Sequence, residues 1–277
     1  MKRFRFSLRT VSRHGFLAIT TAFVVAPFIW MVSLSLKPPE EIFQGSFSLL
    51  PQSWHATQNY SRAMTASPLP RFMLNGVLIC TIILALQILV CAPIAYALAK
   101  LKFPGRHVLF TLVLVSLLIP SQVLALPLFI LAYQLGLLNT YAALVFPFIV
   151  SPFGIFLFRQ FFNTIPDDIV HAARLDGMSE LTIVWRIMLP MAIPALIAFS
   201  VFSVVGHWND LFWPLIAVRS QELMPPPLGL MAFRNEDTGI DYGPLMAGST
   251  IVVAPLVIVF VFAQRWFIEG LTSGGLK

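Results

Sequence analysis

Six long apolar runs constrain this chain more than any other feature of its sequence. A run of at least about 18 apolar residues is typical of a helix that crosses a membrane. The predicted spans cover about 15–36, 73–98, 107–133, 141–162, 191–218 and 244–267. Each is long enough to cross a bilayer with some tilt. The expected fold is therefore an all-α membrane protein of six transmembrane helices, with residues 1–277 forming one transmembrane domain.

The composition excludes the soluble alternatives. Hydrophobic residues make up 58% of the 277 positions and charged residues only 11%, and the mean hydropathy is +0.84. A soluble protein of this size needs a polar surface that this sequence cannot supply, so a soluble enzyme, a disordered protein and a secreted disulfide scaffold are ruled out. Cys80 and Cys91 lie in one apolar run, and we interpret them as small apolar residues rather than as a disulfide or a metal pair.

The positive charges divide unevenly between the two sides of the predicted bundle. With six spans both termini share a side, and that side receives 13 of the 18 Lys and Arg residues against 5 on the other. Because Lys and Arg are retained in cytoplasmic segments, both termini are predicted to be cytoplasmic. The same distribution explains the net charge of +6, so no nucleic-acid partner is predicted. The first run is longer than the apolar part of a signal peptide and has no clear Ala-x-Ala site, which favours an uncleaved span.

The cytoplasmic loop at about 163–190 carries the signals of two short helices. Thr164 with Asp167 predicts a capping box at the start of the first helix, and Gly177 predicts its end. A second helix is predicted from about Ser179, and Pro190 opens the fifth span. The pattern alone is equally compatible with a compact connector and with a surface for a partner. On the other side, the loops at about 37–70 and 219–242 are large enough to bind something.

Four segments are similar to one family. His171 to Gly177, followed by Ile187 to Pro190, resembles the EAA loop of ABC importer permeases, with His171 in place of the family Glu. Residues 96–106, 208–215 and 270–277 resemble further signatures of carbohydrate-type permeases. The resemblance that these segments carry extends over most of the chain from about residue 70 onward. They identify the chain as similar to the six-span subunit of the maltose-type permeases.

This resemblance implies a complex in the bacterial plasma membrane, working by alternating access. The partners would be a second permease subunit, two copies of an ATPase subunit and an extracytoplasmic solute-binding protein. The cargo would be a sugar, oligosaccharide, polyol or glycerol phosphate derivative. ATP and Mg would bind to the ATPase, because this sequence contains no Gly-Lys pair and hence no P-loop. No cofactor and no enzymatic activity are therefore expected in this chain itself. The residues implied in coupling to the ATPase are Asp168, His171, Ala172, Ala173, Arg174, Asp176, Gly177, Leu189 and Pro190.

Polar residues within the spans are the candidates for the solute pathway or for helix packing. They are Asn75, Gln122, His207, Asn209 and Asp210. A charge such as that of Asp210 costs about 2.5–3.5 kcal/mol at mid-span, so this side chain should face the bundle interior. We favour a structural role for Asp210, since the similar permeases share this Trp-Asn-Asp signature across many substrates. The alternative function is an ion-coupled secondary transporter, for which Asp210 and His207 would be the coupling groups.

Overall fold

The computed structural model describes residues 8–43, 48–235 and 239–273, and it is almost entirely helical. In chain order the α-helices of this part are α1 Leu8–Ser35, α2 Pro39–Ile42, α3 Ala56–Thr65, α4 Leu69–Lys100, α5 Arg106–Ser116, α6 Ala125–Gln134, α7 Tyr141–Val145, α8 Pro152–Thr164, α9 Asp167–Leu175, α10 Glu180–Ile183, α11 Leu189–Met191, α12 Ile193–Trp208, α13 Phe212–Ala217, α14 Pro226–Gly229 and α15 Tyr242–Ser273. The predicted all-α fold class is confirmed.

Shorter elements join these helices. The 3-10 turns of the described part are Ser121–Leu124, Phe146–Phe148, Gln221–Leu223 and Leu230–Phe233, and Val184–Met188 is a π-helical turn. Two strands of two residues each, β1 Arg234–Asn235 and β2 Gly239–Ile240, form a minimal antiparallel ladder. The acidic residues Glu236 and Asp237 of the outer loop, four of the counted basic residues (Lys2, Arg3, Arg5 and Lys277) and the end of the C-terminal signature lie outside the described residues.

Three of the predicted spans are continuous helices and three are bent. The segments Ser12–Ser35, Leu69–Lys100 and Tyr242–Phe262 are each long and apolar enough to cross a membrane unbroken. The bent pairs are Arg106–Ser116 with Ser121–Gln134 (98°), Tyr141–Phe148 with Pro152–Thr164 (42°), and Glu180–Met191 with Ile193–Trp208 (86°). Six spans are reached only if each bent pair counts as one span, and nearly all of Glu180–Met191 lies in the predicted loop 163–190 rather than in the predicted fifth span. Prolines lie at or beside all three bends, where the missing N–H weakens the helix.

The chain divides into two compact units, of which the first comprises Met1–Leu69 and Leu230–Ala254. Within its described part, buried polar groups fasten the loop that follows α1. The ammonium group of Lys37, only 1% exposed, donates to the carbonyl oxygen of Ser48. The carboxylate of Glu41 accepts the backbone N–H of Gln52 at 3.0 and 3.1 Å. The Asn59 amide donates to the backbone carbonyls of Ser35, the last residue of α1, at 2.9 Å and of Lys37 at 2.8 Å. Buried polar contacts thus hold the described residues on either side of positions 44–47, in a loop that is predicted on the outer side.

The second unit comprises Pro70–Gly229 and Pro255–Lys277. Its core is formed where α4, α8 and α12 pack together, around buried Phe158, Phe162 and Phe199. Gly154 permits the close packing, since a Cβ atom there would lie 2.8 Å from the Phe199 ring. Both cysteines are free and buried, which agrees with their interpretation as small apolar residues.

Candidate functional site

The loop between α8 and α12, residues 163–190, folds into two short helices separated by a tight turn, and we call it the coupling loop. Its helix α9 ends in a Schellman arrangement: the N–H of Met178 bonds to the Ala173 carbonyl, and that of Gly177 to the Arg174 carbonyl, both at 3.0 Å. Gly177 has φ of +77°, which confirms the predicted helix stop. Ser179 caps α10 by accepting the N–H of Thr182 at 3.3 Å, so the second start is also confirmed.

The predicted capping box at the start of α9 is wrong. Pro166 occupies the cap position and provides no side-chain hydrogen bond. Thr164 is the last residue of α8, where its hydroxyl donates to the Phe161 carbonyl at 2.7 Å. The carboxylate of Asp167 is bonded to Lys100 instead.

The predicted coupling residues lie on different sides of α9 and its flanks. Ala173 is 3% exposed and packs into the core, and Arg174 also points back towards the bundle. The exposed members are Asp168, His171, Ala172, Asp176 and Gly177. Between them lies Leu175, whose side chain is 90% exposed. Leu189 is half-buried against the core, and Pro190 is exposed within α11. One face of α9 thus packs against the rest of the second unit. The opposite face is exposed and includes the large apolar side chain of Leu175.

The inner face of the coupling loop is tied to α4 by two sets of polar contacts, which we call the polar clamp: Tyr96, Lys100, Asp167, Arg174 and Glu180. Glu180 accepts two hydrogen bonds from Arg174, at 2.8 and 3.2 Å. Its second oxygen also accepts the hydroxyl of Tyr96, a residue that is 2% exposed. The ammonium group of Lys100 donates to the Ile165 carbonyl at 2.5 Å and to Asp167 at 2.6 Å.

The clamp keeps its carboxylates ionised. Hydrogen bonds from Arg174 lower the pKa of Glu180 against the opposing effect of partial burial, and the Tyr96 hydroxyl lowers it further. The hydrogen bond and charge of Lys100 lower the pKa of Asp167. The bond to Glu180 in turn raises the pKa of Arg174. Charged hydrogen bonds of this kind are stronger than neutral ones, so α9 and α10 are held firmly against the end of α4.

A cavity of 590 Å³ lies where several helices of the second unit break, and it brings together three of the five predicted pathway residues: Gln122, His207 and Asp210. Asn209 does not line it; its amide donates to the Val205 carbonyl one turn back, at 2.8 Å. Asn75 does not line it either. The Asn75 amide donates to the carbonyls of Glu222 and Met224, and its oxygen accepts the hydroxyl of Tyr141 at 2.8 Å. Asn75 therefore fastens backbone segments together.

Asp210 acts as a helix cap. Its Oδ1 accepts the backbone N–H groups of Phe212 and Trp213 at 3.0 and 3.3 Å, at the start of α13. Carboxylates stabilise helix N-termini through such bonds and through the helix dipole. This geometry supports the structural role favoured from the sequence.

His207 belongs to a buried polar network. The Gln87 amide nitrogen donates to the Phe148 carbonyl at 2.8 Å and lies 3.3 Å from His207 Nε2, and the Ser203 hydroxyl donates to the Gln87 oxygen at 2.6 Å. Since the Gln87 nitrogen is a donor, His207 Nε2 must accept, and a neutral ring then carries its proton on Nδ1. The network therefore fixes the tautomer of a ring that lines the cavity.

Sequence patterns did not predict the partners within the polar clamp or most of the network around His207. A lone polar residue in an apolar run, such as Gln87, is a weak signal by itself. Glu180 gave no signal, because its partners lie 6 and 84 residues away in the sequence. Within the described residues, no group of three or more His, Cys, Asp or Glu side chains is arranged to hold a metal ion.

Comparisons with known proteins agree with this geometry. Residues 89–273 match the family described as the binding-protein-dependent transport system inner membrane component. The chain is 38% identical over 255 residues to the arabinooligosaccharides transport system permease protein AraQ of Halalkalibacterium halodurans, covering 91% of both chains. It is 31% identical to the diacetylchitobiose uptake system permease protein NgcG of Streptomyces coelicolor, covering 95% of this chain and 88% of that one.

The fold also matches a solved structure. A chain in the crystal structure of a bacterial ABC transporter involved in the import of the acidic polysaccharide alginate superimposes with a TM-score of 0.83, covering 95% of this chain and 99% of that one, at 24% identity. The family match spans more than half of the chain, and it includes the coupling loop and the cavity. The chain therefore belongs to the binding-protein-dependent inner membrane components, the permease subunits of ABC importers.

Proposed function

We propose that this permease carries a sugar or a sugar-like solute across the bacterial plasma membrane. Two relatives support the cargo class, because their names assign them to arabinooligosaccharides and to diacetylchitobiose. The chain would form one transmembrane domain of six spans, with both termini in the cytoplasm. A second permease subunit would complete the pathway, and two copies of an ATPase subunit would bind ATP and Mg. A solute-binding protein would deliver the cargo, and the outer loop at 219–242 is its expected contact.

The coupling mechanism rests on one observation, the two faces of α9. Its outer face offers Leu175, with His171 and Asp176 nearby, as an exposed surface for the ATPase. Its inner face is fastened to α4 by the polar clamp. A displacement of α9 by the closing ATPase dimer would therefore pull on α4 through short charged contacts. The pathway would open outward when the dimer closes, receive solute from the binding protein, and return inward after hydrolysis.

Replacing Leu175 tests this contact. Full burial of a Leu side chain contributes about 1.5–3 kcal/mol, so Leu175→Ser should weaken ATPase binding about tenfold or more. The substitution removes only exposed surface, so the fold of the permease should change little. The measurement is the amount of ATPase that copurifies with the permease in mild detergent, together with ATP-driven uptake in vesicles.

Leu50→Ser is the matched control, because Leu50 is 73% exposed in the loop predicted on the outer side. It should retain the ATPase fully. Full retention and uptake in Leu175→Ser would contradict the proposed contact. Uptake that continues after proton and sodium gradients are collapsed would separate the importer from the ion-coupled alternative, which the family membership already disfavours.

His171 stands where similar permeases have Glu. The side chain is exposed beside Leu175, and we propose that shape and Asp176 maintain the ATPase contact with less charge at position 171. His171→Glu should then leave the uptake rate near that of the unmodified complex. A complete loss of uptake would show that the His itself is required by this ATPase.

A further inference from the structure

We propose that the cavity of 590 Å³ is a site where this subunit contacts the ring of an uncharged sugar during transport. The proposal rests on the proposed function and goes beyond it in naming the site and the charge of the cargo. Three independent features of the cavity carry it: the helix breaks that converge on it, the polar groups it leaves available, and the absence of cations from its lining.

Helix breaks from three separate parts of the chain meet at this cavity. The first lies between α5 and α6, the second before α8, and the third between α12 and α13. A broken helix leaves backbone N–H and C=O groups without partners, and inside a membrane these are tolerated only in buried protein or beside a water-filled cavity. Lining residues come from all three breaks, among them Ile119, Ser121, Ser151, Asp210 and Phe212. Their convergence predicts a hydrated cavity rather than a lipid-facing groove.

Some polar side chains that line the cavity have atoms that could form hydrogen bonds with a ligand. Asp210 uses Oδ1 as a helix cap, and no hydrogen bond among the described residues uses its Oδ2. Gln122 is exposed, and its oxygen accepts only a long contact of 3.4 Å from Ser121. The amide nitrogen of Gln122 supplies N–H donors, and His207 lines the same cavity. Acceptors and donors are thus both present, as a hydroxyl-rich ligand requires.

Aromatic rings form much of the remaining lining. Phe148, Phe153, Phe212 and Trp213 all border the cavity, and Phe148 packs on His207 at a centroid distance of 4.8 Å. Ligand sites are typically about 300–1,000 Å³, largely apolar, with a few polar groups that set orientation. A sugar ring combines apolar C–H faces with hydroxyl edges, so it matches this mixture of surfaces and this volume.

The charge of the lining decides between neutral and acidic cargo. None of the residues lining this cavity, all of them in the described part of the chain, is Lys or Arg. Phosphate and carboxylate groups are recognised by Arg and Lys, and the cavity offers instead the carboxylate of Asp210. A phosphorylated or uronic acid solute would meet repulsion here. The cavity therefore selects an uncharged sugar.

Thiol labelling of the complete importer in proteoliposomes tests the proposal directly. The native cysteines are buried, so Gln122→Cys provides a reporter in the cavity with low background. Gln134→Cys, exposed on the same helical pair and absent from the lining, is the matched control. Arabinotriose and diacetylchitobiose are the neutral probes, and alginate trisaccharide and glycerol 3-phosphate the acidic ones. A neutral probe at about twice its dissociation constant should slow labelling at position 122 about threefold and leave position 134 unchanged.

Uptake measured in the same vesicles separates the possible failures. Gln122→Ala should lower uptake of the neutral sugar about fivefold to tenfold, as expected for one lost hydrogen bond, while Gln134→Ala should not. If a neutral sugar is transported but does not slow labelling at position 122, the site is wrong and the proposed function stands. If only acidic probes are transported or protect, the inferred charge selectivity is wrong. If the complex moves neither class of probe, the sugar function fails and this inference fails with it.

Discussion

The hydroxyl of Tyr96 is a polar group on a nearly buried side chain, and its partner is a carboxylate that Arg174 also holds. Each member of such a network satisfies the others, so removing one leaves its neighbours without a partner. Tyr96→Phe and Glu180→Gln should each lower the apparent unfolding temperature of the purified complex. Their effects should not add, with a coupling energy of about 0.5–3 kcal/mol in a double-mutant cycle.

The control cycle pairs Tyr96→Phe with Glu222→Gln. Glu222 bonds to Arg71 and has a side chain that is 74% exposed, so those two effects should be additive. The coupling energy between Tyr96 and Glu180 should also decrease as the pH becomes acidic. Because the pKa of Glu180 is lowered from 4.5, its contribution is complete at neutral pH and is lost only as the pH falls below that value. Additive effects of Tyr96→Phe and Glu180→Gln at neutral pH would contradict the network.

At the scale of the element, α9 depends on the way it ends. Gly177 has φ of +77°, and a Cβ atom there would meet nothing within 4 Å. Gly177→Ala would therefore add no clash, and its cost of about 1–2 kcal/mol would come from the backbone conformation alone. Amide hydrogen exchange over residues 167–178 should accelerate about 5–30-fold. Gly15→Ala is the control, since Gly15 lies inside α1, has no positive φ and also meets nothing within 4 Å. Unchanged exchange in Gly177→Ala would show that the turn does not limit the opening of α9.

The coupling loop shows which elements a sequence can reveal. Its turn was predictable, because Gly177 and Ser179 act through their own backbone neighbours. The start of α9 was not, because the carboxylate of Asp167 bonds to Lys100, which is 67 residues away. In the spans, too, local features were predictable and features set by distant contacts were not. Prolines indicated where helices would bend, but packing sets the angles of 98°, 42° and 86°, and only the first two of these bends border the cavity.

At the scale of the whole molecule, the distribution of Lys and Arg is the main determinant of orientation. The 13 basic residues assigned to one side include Arg174 and Arg186 of the coupling loop, and the proposed contact with the ATPase requires that loop to be cytoplasmic. The charge distribution and the proposed coupling therefore both place residues 163–190 in the cytoplasm. If the charges placed this loop outside, the proposed coupling would fail together with the predicted topology.

Two exposed side chains can report this orientation. Leu175→Cys and Trp54→Cys replace residues that are 90% and 66% exposed, in the coupling loop and in the loop predicted on the outer side. A membrane-impermeant thiol reagent should label Trp54→Cys in intact spheroplasts and leave Leu175→Cys unlabelled, because the side with 13 of the 18 basic residues is predicted to be cytoplasmic. In inverted vesicles the pattern should reverse. The unmodified chain is the control, since Cys80 and Cys91 are buried and should react in neither preparation. Labelling of Leu175→Cys from outside would overturn the predicted orientation, and with it the assignment of this loop to the ATPase.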